Sequence, residues 1–159
     1  THINIKQIAK NITKQKIIDK TKTIEKWFKD IYNFKPKIGI LGLNPHNSEL
    51  RKKSEEVKII IPAIRKLQML KIKVTGPLVA DTLFINNYKN FDVVIGMFHD
   101  QVLAPFKAIF KFNAINITLG LKYLRVSPDH GTATNLIGKN KSNPESLIDC
   151  VNFVNKFGK

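Results

Sequence analysis

Two histidines follow short apolar segments, and this placement is the clearest chemical signal in the chain. His46 comes just after residues 37–43, and His99 comes just after residues 91–96. Short apolar segments of this kind are typical of buried strands. Ligands of α/β sheets bind beyond the carboxyl ends of parallel strands, so both imidazoles are expected to face one cleft. Because imidazole nitrogens suit zinc and similar divalent ions, the pattern predicts a metal or catalytic site, with hydrogen-bonded loop histidines as the alternative.

The elements that must position these histidines alternate between helix and strand. Apolar residues at helical spacing predict a helix over residues 17–34 and a second from Ser54 toward Leu70, with a kink at Pro62. The other predicted elements are, in chain order, strand 38–43, strand 71–74 with a turn at Gly76-Pro77, a central strand 93–97, strand 114–119, and a last helix capped by Ser142 or Asn143. The alternation predicts an α/β fold, a layered sheet with flanking helices.

Length and composition narrow the class of protein. A chain of 159 residues fits one domain. Its longest apolar runs, 38–43 and 59–64, are far shorter than the roughly 20 residues that a membrane helix requires, so no membrane partner is expected. The single cysteine, Cys150, excludes an internal disulfide and fits a reducing compartment. With no secretory signal visible, we expect a cytoplasmic protein.

The net charge of +15 raises the alternative of a nucleic-acid-binding domain. The basic residues are mostly lysines spread along the whole chain, and only residues 51–53 form a short run. This distribution favours a solvated lysine surface. The nucleic-acid alternative predicts retarded migration of DNA or RNA with a steep salt dependence, unaffected by replacing His46 and His99 with alanine.

Five short motifs occur in a fixed order: GLNPH at 42–46, GPLVADTLF at 76–84, HDQ at 99–101, NITLGL at 116–121 and DHGTA at 129–133. In this order and spacing the chain resembles the 4-hydroxythreonine-4-phosphate dehydrogenase family, which is related to the isocitrate and isopropylmalate dehydrogenases. The resemblance implies an incomplete fold of that type. Residues 1–159 would be the C-terminal portion of such an enzyme, with the N-terminal half absent, and the start at Thr1-His2 without an initiator methionine agrees with this expectation.

The resemblance also implies an activity. It is the NAD- or NADP-dependent oxidation of 4-phosphooxy-L-threonine, followed by decarboxylation to 3-amino-2-oxopropyl phosphate, in vitamin B6 (pyridoxal phosphate) biosynthesis. A divalent cation is implied, with zinc, magnesium, manganese and cobalt all conceivable, and so is a homodimer whose active site is shared between subunits. The nearest alternative is a relative that oxidises another phosphorylated acid, such as 4-phospho-threonate or 4-phospho-erythronate. Because the N-terminal half contributes to the family's cleft, the chain alone is expected to be poorly active or inactive.

Site residues follow from the same resemblance, motif by motif. The implied metal ligands are His2, His46 and His99, the substrate contacts are Lys107, Asn116 and Arg125, and the cofactor contacts are His130, Gly131 and Thr132. Lysine and arginine offer positive charge to a phosphate or carboxylate. Asp81 and Asp100 are catalytic candidates that would orient a histidine or relay a proton, with helix capping as the alternative for both.

Two positions depart from the family pattern. Family members usually have a glycine-rich loop after NPH, whereas residues 47–53 contain no glycine. Missing glycines restrict the backbone, so the usual geometry of this loop is in question. In addition, Val102 stands where a glycine commonly follows HDQ. Neither departure removes an implied metal ligand.

Overall fold

The structure, a computed structural model, describes residues 2–158 and divides into two compact units, one ending at Pro105 and one beginning at Phe106. The length alone predicted one domain. The helices are α1 (Ile8–Asn11), α2 (Lys14–Tyr32), α3 (Ile61–Met69), α4 (Ala80–Asn86), α5 (His99–Phe110) and α6 (Glu145–Phe157). The strands are β1 (Ile38–Leu41), β2 (Val74–Leu78), β3 (Val93–Ile95), β4 (Ile115–Thr118) and β5 (Arg125–Pro128).

The first unit contains a parallel sheet in the order β2-β1-β3. Strand β1 is central, since Ile38 pairs with Val74 on one side and Val93 on the other. The prediction that residues 93–97 form the central strand was therefore wrong. The reason is visible in burial: Ile38 and Ile40 are completely buried, as a strand with neighbours on both sides requires, whereas β3 is only half-buried.

Strand β2 begins three residues later than predicted and runs through the Gly76-Pro77 pair. The predicted turn is instead a bulge, because the register with β1 shifts between Gly39 and Leu41. A Cβ atom on Gly76 would lie only 2.4 Å from the carbonyl oxygen of Ile40, so glycine permits the close approach of the two strands.

Helices α2 and α3 pack together over this sheet. The amino end of α2 is capped by Thr13, whose Oγ1 accepts a hydrogen bond from the Lys16 amide, and its carboxyl end stops at Asn33 in the left-handed region. The helix predicted from Ser54 toward Leu70 is irregular just before Pro62. A π-helical segment, Glu56–Ile60, leads directly into α3, and Pro62 lies in the first turn of α3, two residues after the π-helical segment ends.

The second unit is a small sheet covered by one helix. Strands β4 and β5 are antiparallel, and α6 packs against both. Ser146 joins the layers, since its hydroxyl donates to the carbonyl of Ala114 (2.6 Å) and accepts from the Asp129 amide (3.0 Å). The N-cap of α6 is Pro144, without a side-chain capping bond, so the prediction that Ser142 or Asn143 caps this helix was wrong. One residue earlier, Asn143 Oδ1 accepts a hydrogen bond from the Glu145 amide (2.8 Å). Cys150 is buried on this helix.

Within residues 2–158, no helix is both long enough and apolar enough to span a lipid bilayer.

Candidate active site

The two strand-following histidines lie beyond the carboxyl ends of neighbouring strands, as predicted. His46 comes five residues after the end of β1, and His99 is the first residue of α5, four residues after the end of β3. Because β1 and β3 are paired in parallel, both segments leave the sheet at the same edge. The start of a helix at the HDQ motif was not predicted from the sequence.

His99 lies beside a second imidazole and a carboxylate. The ring centroids of His2 and His99 are 4.9 Å apart and tilted by 46°. Asp100 Oδ1 lies 2.6 Å from His99 Nδ1. A carboxylate at Nδ1 fixes the orientation of the ring and leaves Nε2 available to a ligand. Asp100 is thus in position to orient His99, and it also lies in the first turn of α5, where the capping alternative requires a carboxylate.

The described residues of one chain do not complete a metal-binding set. Among residues 2–158, no three histidine, cysteine, aspartate or glutamate side chains gather closely enough to hold an ion. His2 and His99, whose rings are neighbours, carry imidazole nitrogens, the donor type that zinc and similar ions prefer. The donor type fits a divalent metal, but the described residues alone do not complete a ligand set.

The backbone around His46 adopts an unusual conformation. His46, Asn47, Ser48, Glu49 and Leu50 all have φ between 48° and 55°, in the left-handed region. For residues with a Cβ atom this conformation costs roughly 1–2 kcal/mol each. The loop thus keeps a left-handed path without the glycines that would make it easy. Such a conformation persists only when surrounding contacts enforce it.

Glu56 holds the residues just before this loop, a role that was not predicted from the sequence. The residue is completely buried. Its Oε1 accepts hydrogen bonds from the amides of Leu43 (2.9 Å) and Asn44 (2.8 Å) and from Asn44 Nδ2 (3.2 Å). Burial by itself would raise the pKa of Glu56, but the hydrogen bonds from Asn44, from its own amide and from Leu43 prevail and lower it. A buried carboxylate therefore holds the chain just before His46.

Asn47 fastens the loop on its other side. Its Nδ2 donates to the carbonyl oxygen of Pro77 on β2 (2.9 Å), and its Oδ1 is buried without a partner among the described residues. A Cβ atom on Gly42 would lie 1.9 Å from that Oδ1, which is an impossible contact. Gly42 is therefore the residue that makes room for Asn47.

The predicted substrate contacts all belong to the second unit. Asn116 pairs with Ser127 and Thr118 pairs with Arg125, so Asn116 and Arg125 share one face of the β4–β5 pair. Arg125 Nη1 donates to Thr118 Oγ1 (2.8 Å). Lys107 carries its own counter-charge: its Nζ lies 3.1 Å from Asp129 Oδ2 and donates to the Asp129 carbonyl oxygen.

The remaining candidates are exposed. His130, Gly131 and Thr132 lie in an open loop, where His130 Nδ1 is 3.0 Å from the carbonyl oxygen of Gly131. A Cβ atom on Gly131 would meet nothing within 4 Å, so a ligand has free access to this backbone. Asp81 lies in the first turn of α4, where a negative charge is stabilising because the amino end of a helix is partly positive.

These elements define a mixed α/β protein of the isocitrate dehydrogenase-like class. The crystal structure of 4-hydroxythreonine-4-phosphate dehydrogenase from Klebsiella pneumoniae has the same fold, with a TM-score of 0.81 and 30% identity over 96% of this chain and 46% of that one. The profile of the family described as pyridoxal phosphate biosynthetic protein PdxA matches residues 1–154. The chain belongs to that family.

Curated relatives agree with this assignment. The 4-hydroxythreonine-4-phosphate dehydrogenase of a Sulfurihydrogenibium species is 48% identical over 153 residues, which cover 95% of this chain and 47% of the relative. That of Aquifex aeolicus is 41% identical over 155 residues, covering 97% and 48%. The chain therefore spans about half the length of the curated relatives it matches.

Proposed function

We propose that this chain carries part of the active site of a 4-hydroxythreonine-4-phosphate dehydrogenase acting in pyridoxal phosphate biosynthesis. The observation that carries the proposal is the match of residues 1–154 to that family together with the placement of His46 and His99 beyond adjacent parallel strands. The reaction is the oxidation of 4-phosphooxy-L-threonine with NAD or NADP, followed by decarboxylation to 3-amino-2-oxopropyl phosphate.

His2, His46 and His99 would hold a divalent cation, with zinc, magnesium, manganese and cobalt all compatible with the reaction. When bound, the cation supplies Lewis acidity that lowers the pKa of the substrate hydroxyl and stabilises the negative charge left when carbon dioxide departs. Support comes from the His2–His99 pair at 4.9 Å and the carboxylate on His99 Nδ1. A second copy of the chain would complete the ligand set in a homodimer.

Asp100 would keep His99 oriented through the 2.6 Å contact at Nδ1. The contact favours one ring orientation and one tautomer of the imidazole, with the proton on Nδ1 and the lone pair on Nε2. Asp81 would take part in proton transfer. It is exposed in the first turn of α4, where its negative charge also stabilises the amino end of the helix.

Lys107, Asn116 and Arg125 would contact the phosphorylated substrate. Arginine grips a phosphate with two parallel hydrogen bonds, and lysine adds a point charge. The Lys107–Asp129 ion pair fixes the ammonium group before substrate arrives, with 39% of the lysine side chain still exposed. His130, Gly131 and Thr132 would contact the nicotinamide cofactor through the open loop that follows Asp129.

A chimera tests this function. Because the chain matches about half of its relatives, we expect the 159 residues alone to turn over poorly. The chain should therefore replace the matching half of the Sulfurihydrogenibium relative, to which it is 48% identical. We expect substrate-dependent reduction of NAD or NADP, lost in His99→Ala and Arg125→Ala. A folded chimera that reduces neither cofactor with 4-phosphooxy-L-threonine would overturn the proposal.

The same assay decides between substrates. A relative specific for 4-phospho-threonate or 4-phospho-erythronate would share the phosphate and metal contacts, so the rival substrates should be compared by kcat/KM in one chimera. The preferred acid is the one with the highest value. We further propose that the protein works in the cytoplasm, where its metabolic substrate and cofactor are available.

A further inference from the structure

Gln101 connects the two segments that carry His46 and His99. Its Nε2 donates to the carbonyl oxygen of Gly42 (2.7 Å), and its Oε1 accepts from the amide of Met97 (2.7 Å). Both distances are short for hydrogen bonds of this type. These partners fix the orientation of the side-chain amide, because only its NH₂ group can donate to the Gly42 carbonyl oxygen and only its oxygen can accept from the Met97 amide.

The bridge extends the sheet beyond its last backbone pair. The β1–β3 register ends at Ile40 and Ile95. Gly42 and Met97 lie two residues further along each chain segment, and the side-chain amide of Gln101 connects them in place of a backbone hydrogen bond. On its other side, the Gly42 amide donates to the carbonyl oxygen of Leu78 on β2 (3.0 Å). Gly42 is thereby fixed between both neighbours.

The neighbourhood leaves little freedom for this amide. A Cβ atom on Gly96 would lie 2.7 Å from Val102 Cγ1 and 3.4 Å from Gln101 Oε1, so the first turn of α5 rests directly on the end of β3. Val102, the residue that replaces the usual glycine, is the side chain that fills this contact. The bridge is therefore seated against packed atoms.

We propose that Gln101 is a positioning residue that sets where His46 and His99 are presented to the metal. Gly42 precedes His46 by four residues, and Met97 precedes His99 by two, so the bridge couples the strand ends from which both histidines follow. The inference rests on the proposed metal function of these histidines. It adds a residue outside the ligand set whose loss changes metal affinity while the fold remains.

The chemistry restricts this role to glutamine. Methionine has a similar length but neither donates to Gly42 nor accepts from Met97. Asparagine keeps the amide but is one methylene shorter, so it reaches only one partner. Gln68 offers a matched control, since its Nε2 donates to the Val74 carbonyl oxygen at the opposite end of the sheet (3.2 Å).

The experiment titrates Co²⁺ into the 159-residue chain and follows the visible spectrum of the bound ion. Loss of a residue that orients a metal ligand typically weakens metal binding about 10–100-fold, and we expect this for Gln101→Met and Gln101→Asn. The spectrum at saturating Co²⁺ should also change. Gln68→Met should bind Co²⁺ like the original chain, with a similar loss of thermal stability.

Hydrogen exchange gives a readout that needs no metal. The Met97 amide should lose its protection in Gln101→Met and keep it in Gln68→Met. Co²⁺ affinity within twofold of the original in both Gln101 variants would overturn the inference. If His99→Ala weakens Co²⁺ binding while the Gln101 variants do not, only this inference fails. If His99→Ala has no effect on binding, the proposed metal site fails as well.

Discussion

Replacing Glu56 with glutamine should destabilise the protein more than any other single carboxylate-to-amide change near the site. Glu56 is completely buried, and one of its oxygens accepts from the backbone amides of Leu43 and Asn44 at 2.9 and 2.8 Å. Hydrogen bonds to a charged group contribute about 1.5–3 kcal/mol each, against about 1 kcal/mol for neutral ones. Removing the charge from two such bonds should lower the free energy of unfolding by about 2 kcal/mol.

The new amide adds a second cost. The NH₂ group that Glu56→Gln introduces would face Asn44 Nδ2, which donates to Oε2 of Glu56 in the structure (3.1 Å), so two donors would meet. Glu55→Gln is the matched control, because Glu55 is half-buried and accepts one hydrogen bond, also from Asn44 Nδ2 (2.9 Å). We expect this control to lose about 0.5 kcal/mol or less.

Urea denaturation measures both variants. With a slope of about 2 kcal/mol per molar urea, the Glu56→Gln midpoint should fall by about 1 M at neutral pH. The lowered pKa of Glu56 fixes the sign of the pH dependence. Its stabilisation is complete above the unfolded-state pKa and disappears as pH falls through the folded-state pKa, so the two proteins should converge in acid. Equal midpoints for Glu56→Gln and Glu55→Gln at neutral pH would refute this reasoning.

Three further predictions follow from local geometry. Glu49→Gly should be about 1 kcal/mol more stable than Glu49→Ala by urea denaturation, because φ is 50° there, and the reverse order would contradict the left-handed path. Gly42→Ala should lower the free energy of unfolding by about 2–3 kcal/mol, because the new methyl group displaces Asn47. The effect of Gly42→Ala should be smaller in a chain that already carries Asn47→Ala, and equal effects in both chains would exclude that clash. Burial and the charge of Asp149 raise the pKa of the Cys150 thiol. A thiol reagent should therefore react on the order of 100-fold faster with the urea-unfolded chain than with the folded chain. Equal reaction rates would exclude a buried thiol.

The elements that sequence predicted well are those whose pattern is local. Residues 17–34 show helical spacing, and α2 covers Lys14–Tyr32. Strand β1 follows from an uninterrupted apolar run whose residues are all buried. Strand β2 was misplaced because Gly76-Pro77 has the composition of a turn, whereas the pair forms a bulge in an edge strand. Strand β5 was missed, since four residues ending in proline carry no apolar periodicity.

The site was only partly predictable for a similar reason. The strand-then-histidine pattern is local, so the placement of His46 and His99 at one sheet edge could be predicted. The roles of Glu56 and Gln101 depend on contacts across 12 and 59 residues, which no local pattern encodes. Without glycines, residues 46–50 also gave no sign of a left-handed backbone.

The proposed metal site is tested most directly by a crystal structure of the protein soaked with Co²⁺ or Zn²⁺, with the ion located by its anomalous scattering. We predict one ion per site, bound by the imidazoles of His2, His46 and His99 at about 2.0–2.1 Å, with ligands from two copies of the chain. An ion bound elsewhere, or His46 and His99 facing separate surroundings in the assembled dimer, would contradict this prediction.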